Sequence, residues 1–341
     1  MTKVAVGIVG HTLLLAAVYV LLAFLLSIAP IVGNFLSFGF DNAELRRAQQ
    51  LYYAAAPTRS IWQADAGCAV LDEATGYTAK QGVCEFRNHE FDTELRYTAE
   101  GWRHPEDPVP DLGSVLIIGD SQAMGWGVNF DKNFGYLLGE RGYKVRNYAV
   151  SSHATEQQLQ LAVNSPFFGE ANIILLQYCE NDLGKNKREL SSYLEREKRV
   201  FLSQQTEKPI STLQKMSNAA AMFIKNFSFS GLLKAPVKFV AAIGLDHWSP
   251  AYSRKQTEEH KAYLIDILKK FPELESKRVL VFYSNGWGKP FFEWGEKLEG
   301  VELLELGLER HHYYRIDDHL TEYGHEYIAA KLASVLIRQP Q

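Results

Sequence analysis

Five short aliphatic runs, separated by stretches with helical periodicity, constrain the fold of this chain more than any other feature. The runs begin near Val115, Lys144, Asn172, Arg278 and Val301. Continuous apolar runs of this length are typical of strands that are buried on both faces. Strands that alternate with helices predict an α/β fold, in which a parallel sheet is covered by helices on both sides. In such folds, functional sites form at the carboxyl ends of the strands.

The first aliphatic run ends in an abrupt turn that carries a serine. In VLIIGDSQAMGWG, which begins at Val115, Asp120 and Ser121 follow the strand and small residues open a helix. A serine hydroxyl is a weak nucleophile at neutral pH and requires an adjacent base, usually a histidine that a carboxylate orients. Ser121 is therefore a candidate nucleophile, provided that such partners reach the same edge of the sheet. We interpret Asp120 as stabilising the turn through backbone hydrogen bonds.

A candidate base lies near the C-terminus, in RIDDHLTEYGHEYIAAKL. Asp317 and Asp318 precede His319, and a helical pattern begins at about Thr321. A loop that follows the last strand and leads into the final helix lies on the same sheet edge as Ser121. The pattern therefore predicts that this loop supplies both a general base and the carboxylate that orients it.

Candidate oxyanion donors follow the second and third aliphatic runs. Asn181 in QYCENDLGKN comes just after the third run, and Ser151 and Ser152 in NYAVSSHATEQQ come after the second. The backbone N–H groups of Ser121 and Ser152, with the Asn181 side chain, would form a pocket for negative charge. We interpret His153, beside this loop, as a solvent-exposed residue, with contact to substrate as the alternative.

Together these motifs resemble the SGNH (GDSL) hydrolase superfamily: Gly-Asp-Ser, a strand-end loop, Asn-Asp, then Asp and His before HLTEYGH. The resemblance covers about Val115 to Leu336, and the segment GYTAKQGVCEFRNHEFDTELRYTAEGWR is similar to that of some membrane-anchored bacterial members. The family implies a flavodoxin-like three-layer α/β/α sandwich and serine-dependent hydrolysis or transfer of ester-linked acyl groups, with no metal. It implies that Ser121 is the nucleophile, Asn181 an oxyanion donor and His319 the general base. No cofactor is expected.

Two positions depart from the family pattern. The family normally has a glycine whose backbone N–H completes the oxyanion hole, and the matching position here is Ser152. A serine donates the same N–H unless the loop requires a conformation that favours glycine. The family also normally places an Asp three residues before the His, and that position here is Ile316. By analogy with Asp-x-His variants of the family, we predict that Asp317 orients His319, with Asp318 as the alternative.

The N-terminal residues predict a membrane anchor. From Val4 to Ala29 the chain has no Asp, Glu, Lys or Arg. A helix needs about 20 apolar residues to cross a bilayer, and this run exceeds the roughly 7 to 15 residues of a signal-peptide core. We predict one uncleaved transmembrane helix within residues 1–40, with a removed signal peptide as the alternative.

The cysteines help to orient the chain across the membrane. Cys68 and Cys84 are close together in a polar, turn-rich stretch, and a hairpin there would bring them into contact. Disulfides persist outside the cytoplasm, so a Cys68–Cys84 disulfide favours a periplasmic or otherwise extracytoplasmic domain on a single-pass inner-membrane anchor. Two unrelated buried thiols are the alternative. Cys179, at the end of the third run, is interpreted as a packed small hydrophobe.

The remaining chain divides into two further parts. Residues 41–111 form a predicted accessory segment packed on the main domain, and the Pro-rich end of this segment marks a domain edge. Residues 112–341 form the predicted hydrolase-like domain, with a helical insertion at about 184–271. The middle of the insertion, Ser211 to Leu245, carries four lysines and no acidic residue. This basic amphipathic stretch could lie on an anionic membrane, or its apolar face could pack on the domain core.

Composition excludes some classes of function. The formal net charge is −4, with basic and acidic residues mixed, so nucleic-acid binding is not expected.

His311 and His312 could bind a metal, but adjacent residues on a strand point to opposite faces, so we interpret them as surface residues. We interpret His325, within the last helix, as a packing or surface residue.

These observations predict an anchored serine esterase. We expect it to remove O-acyl groups, above all O-acetyl groups, from envelope or extracellular glycans through an acyl-serine. Three alternatives stay open: an acyltransferase subunit that works with a membrane-protein partner in polysaccharide O-acylation, a hydrolase of lipid esters, and a catalytically silent glycan-binding or assembly subunit.

Overall fold

Two antiparallel hairpins precede the main sheet of the protein. The computed structural model describes Val18, Leu21 and residues 62–88, 90–98, 112–179, 181–206, 254–284, 300–314 and 317–337. The first hairpin pairs β1 (Ala69–Asp72) with β2 (Gly76–Ala79), and the second pairs β3 (Gly82–Arg87) with β4 (Asp92–Tyr97). A disulfide between Cys68 and Cys84 joins the first hairpin to the second.

The main sheet has five parallel strands, one for each aliphatic run. They are β5 (Ser114–Ile118), β6 (Lys144–Asn147), β7 (Ile173–Tyr178), β8 (Arg278–Tyr283) and β9 (Val301–Leu304). The spatial order is β6-β5-β7-β8-β9, and every neighbouring pair is parallel. The prediction of an α/β fold with a parallel sheet is confirmed.

Seven helices lie in the part of the chain that the structure describes. They are α1 (Ser121–Met124), α2 (Phe134–Glu140), α3 (Thr155–Val163), α4 (Asp182–Asn186), α5 (Leu190–Thr206), α6 (Arg254–Leu268) and α7 (Glu322–Leu336). Short 3-10 turns occur at Trp62–Ala64, Phe130–Lys132, Pro272–Ser276 and Arg310–His312. Helix α7 begins where the helical pattern predicts, because the Thr321 hydroxyl accepts a hydrogen bond from Gly324 N and caps the first turn.

Both faces of the main sheet are buried, because alternate strand residues point into two separate apolar clusters. One cluster joins residues such as Ile117 and Phe282 to Leu138 of α2 and Leu332 of α7. The other cluster joins the alternate strand positions to α3 and α6; its members include Leu116, Leu176, Val281, Leu159 and Leu264. This two-sided burial is the reason why the strands are continuous apolar runs.

The hairpins contribute to the same apolar cluster as one face of the main sheet. Phe86 and Leu95 of the second hairpin are buried in that cluster, as is Tyr77 of the first. Helix α5 covers the first hairpin: the Phe201 ring stacks on Tyr77, with 5.6 Å between ring centroids. Helix α5 is therefore solvated on one face only, because Tyr193 and Phe201 are buried.

Several predictions fall on residues that the structure does not describe. The predicted anchor, Val4–Ala29, is described only at Val18 and Leu21, and the basic middle of the insertion lies wholly outside the described residues. Among the residues that are described, no helix is both long enough and apolar enough to cross a bilayer. The chain divides into two compact units, and the described fold belongs to the unit formed by Ser60–Lys208 and Pro250–Gln341.

Candidate active site

Ser121 lies in the crevice where a parallel α/β sheet usually binds its ligands. Strand β5 leads to β6 on one side and its other neighbour, β7, leads to β8 on the opposite side, so the connections after β5 and β7 run in opposite directions. Such connections separate at the carboxyl ends of the two strands and leave a crevice. The turn is tight: a side chain at Gly119 would come within 2.6 Å of Gln177 Oε1. Ser121 is the first residue of α1 and is partly exposed.

The loop between the Arg310–His312 turn and α7 brings a histidine to this serine. His319 Nε2 lies 2.6 Å from Ser121 Oγ. On the other side of the ring, Nδ1 hydrogen-bonds to the Asp317 carboxylate. Because a carboxylate only accepts hydrogen bonds, neutral His319 carries its proton on Nδ1 and leaves Nε2 free to accept from the serine hydroxyl. The residues thus form a continuous relay from carboxylate to hydroxyl.

The geometry distinguishes between the two candidate carboxylates. The Asp317 side chain is only 2% exposed, and one of its oxygens also accepts from the His319 backbone N–H at 3.2 Å. The nearest Asp318 oxygen lies 3.6 Å from Nδ1, and its side chain is 43% exposed. A buried carboxylate that is held by two hydrogen bonds orients the ring better than an exposed one at longer range. Ile316 lies outside the described residues.

The carboxylates around His319 stabilise its protonated form. Burial alone lowers the pKa of the imidazole, but the adjacent Asp317 carboxylate, with smaller contributions from Asp318 and Asp120, raises that pKa to about 9. The imidazolium that forms when a base removes a proton from serine is therefore strongly favoured here. Because the pKa is raised, a protonated His319 must lose its proton before it can act as a base.

Asp120 connects the serine turn to the next strand end. Its carboxylate caps α1 by accepting from Gln122 N at 3.0 Å, and accepts from Cys179 Sγ at 3.0 Å and Asn181 Nδ2 at 2.9 Å. Burial raises the pKa of Asp120, but the positive charge of Lys185 and these hydrogen bonds outweigh burial and lower it. Asp120 therefore stays ionised and stabilises more than its own turn, because it also holds the Asn181 amide.

The Asn181 amide has a fixed orientation at the start of α4. Its Nδ2 donates to Asp120, while its Oδ1 accepts from Lys185 Nζ at 2.7 Å. A carboxylate cannot donate and an ammonium cannot accept, so these two partners are compatible with only one of the two orientations of the amide. One N–H of the amide donates to Asp120, and an oxyanion could accept a hydrogen bond from the second. Lys185 Nζ also reaches the His153 carbonyl at 3.4 Å.

Ser152 has an unusual backbone conformation. Its φ is 65°, the one positive value among the described residues other than glycine. This left-handed region is the one that glycine adopts without steric cost, and here a serine adopts it. The first hairpin and the turn before it hold the loop in place: Gln63 Nε2 donates to Ser152 Oγ at 2.9 Å, and Tyr77 OH donates to the Ser151 carbonyl at 2.9 Å.

The structure corrects two predictions about histidines. His153, predicted to be solvent-exposed, is fully buried, because Tyr77 covers it and its Nε2 donates to the Tyr77 carbonyl at 2.8 Å. His311 is exposed, as predicted, but both His311 and His312 lie in a 3-10 turn rather than a strand, and His312 is buried against Tyr323. His325 packs in the core, where its Nδ1 accepts from Phe134 N at 3.2 Å.

Among the described residues, one group of side chains has the composition of a metal site. It consists of Asp317, Asp318 and His319. Both ring nitrogens of His319 already take part in hydrogen bonds, since Nδ1 bonds to Asp317 and Nε2 to the serine hydroxyl. The donor set therefore fits a proton relay, and the hydrogen bonds account for its compactness.

Sequence reasoning missed the polar residues that hold these loops. Gln122 and Glu90 both hydrogen-bond to the loop that carries His319, and Gln63 hydrogen-bonds to Ser152. A partial signal was present at Gln122, because a glutamine at the start of a buried turn between Ser121 and small apolar residues needs polar partners. Glu90 and Gln63 gave no local signal, since their partners are far away in the sequence.

In comparisons with known proteins, no protein-family model and no curated protein matches this chain.

Proposed function

We propose that this protein is a serine hydrolase of the SGNH type that cleaves acyl esters. The observation that carries the proposal is the relay from Asp317 through His319 to Ser121, at the carboxyl edge of a parallel sheet. The strand order matches the flavodoxin-like order, which supports a flavodoxin-like sandwich. The Asn181 amide and the left-handed Ser152 loop lie at the two neighbouring strand ends, where oxyanion donors are needed.

In the proposed reaction, His319 Nε2 removes the Ser121 hydroxyl proton as the oxygen attacks the ester carbonyl. Asp317 holds the imidazolium that forms, and the tetrahedral oxyanion receives hydrogen bonds from the N–H groups of Ser121, Ser152 and Asn181. The imidazolium then gives its proton to the departing alcohol, which leaves an acyl-serine. Water, activated by neutral His319, attacks the acyl-serine, and the carboxylic acid and free Ser121 are released.

The proposed substrates are O-acylated, above all O-acetylated, glycans outside the cytoplasm. Two features support this class. The apolar run Val4–Ala29 would hold the protein at a membrane. The Cys68–Cys84 disulfide favours an oxidising compartment, so the hydrolase would face the envelope rather than the cytosol. These two features support the proposal of an inner-membrane anchor with a periplasmic catalytic domain.

A fluorophosphonate probe tests the proposal, because it reacts far faster with an activated serine than with an ordinary hydroxyl group. The full-length protein in detergent would be incubated with the probe, and the adduct located by intact mass and peptide mapping. We expect one adduct on Ser121, which is absent in Ser121→Ala and strongly reduced in His319→Ala. A folded protein that forms no adduct, or forms it elsewhere, would contradict the proposal. An adduct on Ser121 without turnover of acetylated glycans would keep the serine chemistry and reject the substrate.

The pH dependence of labelling gives a second check. His319 must be neutral to accept the serine proton, and its pKa is raised to about 9. The labelling rate should therefore increase with pH through 7 and 8 and level off above about 9. A rate that is already at its plateau at pH 7 would show that His319 has an ordinary pKa in the free protein.

A further inference from the structure

Gln122 makes two hydrogen bonds to the backbone on either side of His319. Its Nε2 donates to the Asp318 carbonyl at 2.8 Å, and its Oε1 accepts from Leu320 N at 3.2 Å. The side chain is buried, with 6% of the residue exposed. A carbonyl only accepts and a backbone N–H only donates, so both ends of the amide are matched and its orientation is fixed. Gln122 also follows Ser121 directly in the chain.

Three other hydrogen bonds also hold the loop that carries His319. The backbone N of Tyr314 donates to the His319 carbonyl at 2.9 Å, and Tyr314 OH donates to the Gly127 carbonyl at 2.6 Å. The Asp317 N–H donates to Glu90 Oε2 at 2.6 Å. None of these three contacts involves the residues next to the serine. Gln122 differs because it belongs to the helical turn that begins with Ser121.

We infer that Gln122 is a positioning residue that holds His319 opposite Ser121. The inference rests on the proposed function, because it assigns a role in serine activation. Two bonds from one rigid side chain fix the backbone at Asp318 and Leu320, and therefore the place from which the His319 ring extends. Proton transfer requires Ser121 Oγ and His319 Nε2 to stay within hydrogen-bond distance. A displacement of the loop by about 1 Å would therefore greatly lower the rate at which Ser121 reacts.

Two substitutions separate the hydrogen bonds of Gln122. Gln122→Met has a similar shape but loses both bonds. Gln122→Glu keeps an oxygen that accepts from the Leu320 N–H, but lacks the N–H that the Asp318 carbonyl needs. Gln157→Met is the matched control, because Gln157 is also buried and also makes two backbone hydrogen bonds, to Ala154 N and the Thr75 carbonyl, without contacting the His319 loop.

The catalytic readout is the saturation of fluorophosphonate labelling in the full-length protein. For Gln122→Met we expect the maximal labelling rate to fall by about 10- to 100-fold while the half-saturating probe concentration stays unchanged. The melting temperature of each variant shows how much of the loss is general. Gln157→Met should lose a similar amount of stability and keep its labelling rate. An equal loss of labelling in both variants would overturn the inference.

Hydrogen exchange at the Leu320 amide tests the anchor without any reaction. In the wild-type protein this amide should exchange slowly; in Gln122→Met it should exchange faster, and in Gln122→Glu it should remain protected. Unchanged exchange in Gln122→Met would overturn the inference whether or not Ser121 reacts. A wild-type protein that shows the expected exchange pattern but is not labelled would reject the proposed function instead, and with it the catalytic consequence of the anchor.

Discussion

The carboxyl edge of the main sheet and the hairpin segment, residues 62–98, contribute different things to the candidate site. The sheet edge and the loop before α7 supply the groups proposed to react: Ser121, Asn181 and His319. The hairpin segment supplies none of them. Instead, Gln63 and Glu90 hydrogen-bond to the backbone or side chains of the two loops that carry Ser152 and Asp317.

The two regions are also stabilised in different ways. The sheet is stabilised by apolar burial on both faces: helices cover one face, and helices together with hairpin residues cover the other. The hairpins are short, and the Cys68–Cys84 disulfide joins them. Isolated two-stranded hairpins are only marginally stable in water, so the segment depends on this disulfide and on its packing against the domain. The comparison predicts that sheet-edge changes affect reaction rate, while hairpin changes affect stability first.

The largest expected effect is at the sheet edge, in Asp317→Asn. The asparagine can donate to His319 Nδ1 and so favours the wrong tautomer, while the geometry stays intact. We expect the Ser121 labelling rate to fall by about 10⁴-fold, by analogy with the same change in the serine-protease triad. The measurement is the second-order labelling rate, with the melting temperature as a check on folding.

Asp318→Asn is the control for that change, because Asp318 is exposed and lies farther from the ring. Its labelling rate should stay within a few-fold of the wild-type rate. A larger loss in Asp318→Asn than in Asp317→Asn would exchange the roles of the two carboxylates. A collapse of the melting temperature in Asp317→Asn would show that this residue stabilises the fold rather than the reaction.

An intermediate effect is expected from the hairpin segment, when the disulfide is removed in Cys68→Ala/Cys84→Ala. The two cysteines are 16 residues apart, and closing a loop of this length stabilises a protein by about 3 kcal/mol. Urea unfolding should show this loss, while labelling of the folded fraction should fall far less than in Asp317→Asn. Labelling at pH 8 without urea is the comparison with Asp317→Asn. If it fell by as much as in that variant, the assignment of reaction rate to the sheet edge and of stability to the hairpin segment would be wrong.

The sequence allowed the sheet edge to be predicted far better than the hairpin segment. The strands are continuous apolar runs, so their positions and the residues that follow them could be identified locally. Gln63 and Glu90 are unremarkable residues in their own stretches, and their partners are 89 and 227 positions away. Contacts between residues so far apart leave no periodic pattern in the sequence, so they can be identified only from the folded structure. His153 was misassigned for the same reason, because the covering residue, Tyr77, is far away in sequence.

Asp317 and Asp318 illustrate a limit of a different kind. Both carboxylates stand within two residues of His319, so composition and spacing favour them almost equally. The loop conformation decides between them, since it buries one side chain and exposes the other. That conformation depends on contacts with Gln122 and Glu90, which lie in two other parts of the chain. The choice of acid was therefore a tertiary property that adjacent residues alone could not reveal.

The smallest effect is expected where the two regions meet, at Ser152. Ser152→Gly relieves the left-handed strain, about 1 to 2 kcal/mol, but loses the Gln63 hydrogen bond and costs about 0.5 to 1 kcal/mol of extra chain entropy. These contributions nearly cancel, so its stability and labelling rate should stay close to wild type. Ser152→Ala also loses the bond and keeps the strain, but it avoids the added chain entropy, so it should be less stable than Ser152→Gly by up to about 1.5 kcal/mol in urea unfolding. A Ser152→Ala variant that is more stable than Ser152→Gly would mean that the loop does not hold this residue in the left-handed region, and the hairpin segment would then have no strained backbone to stabilise.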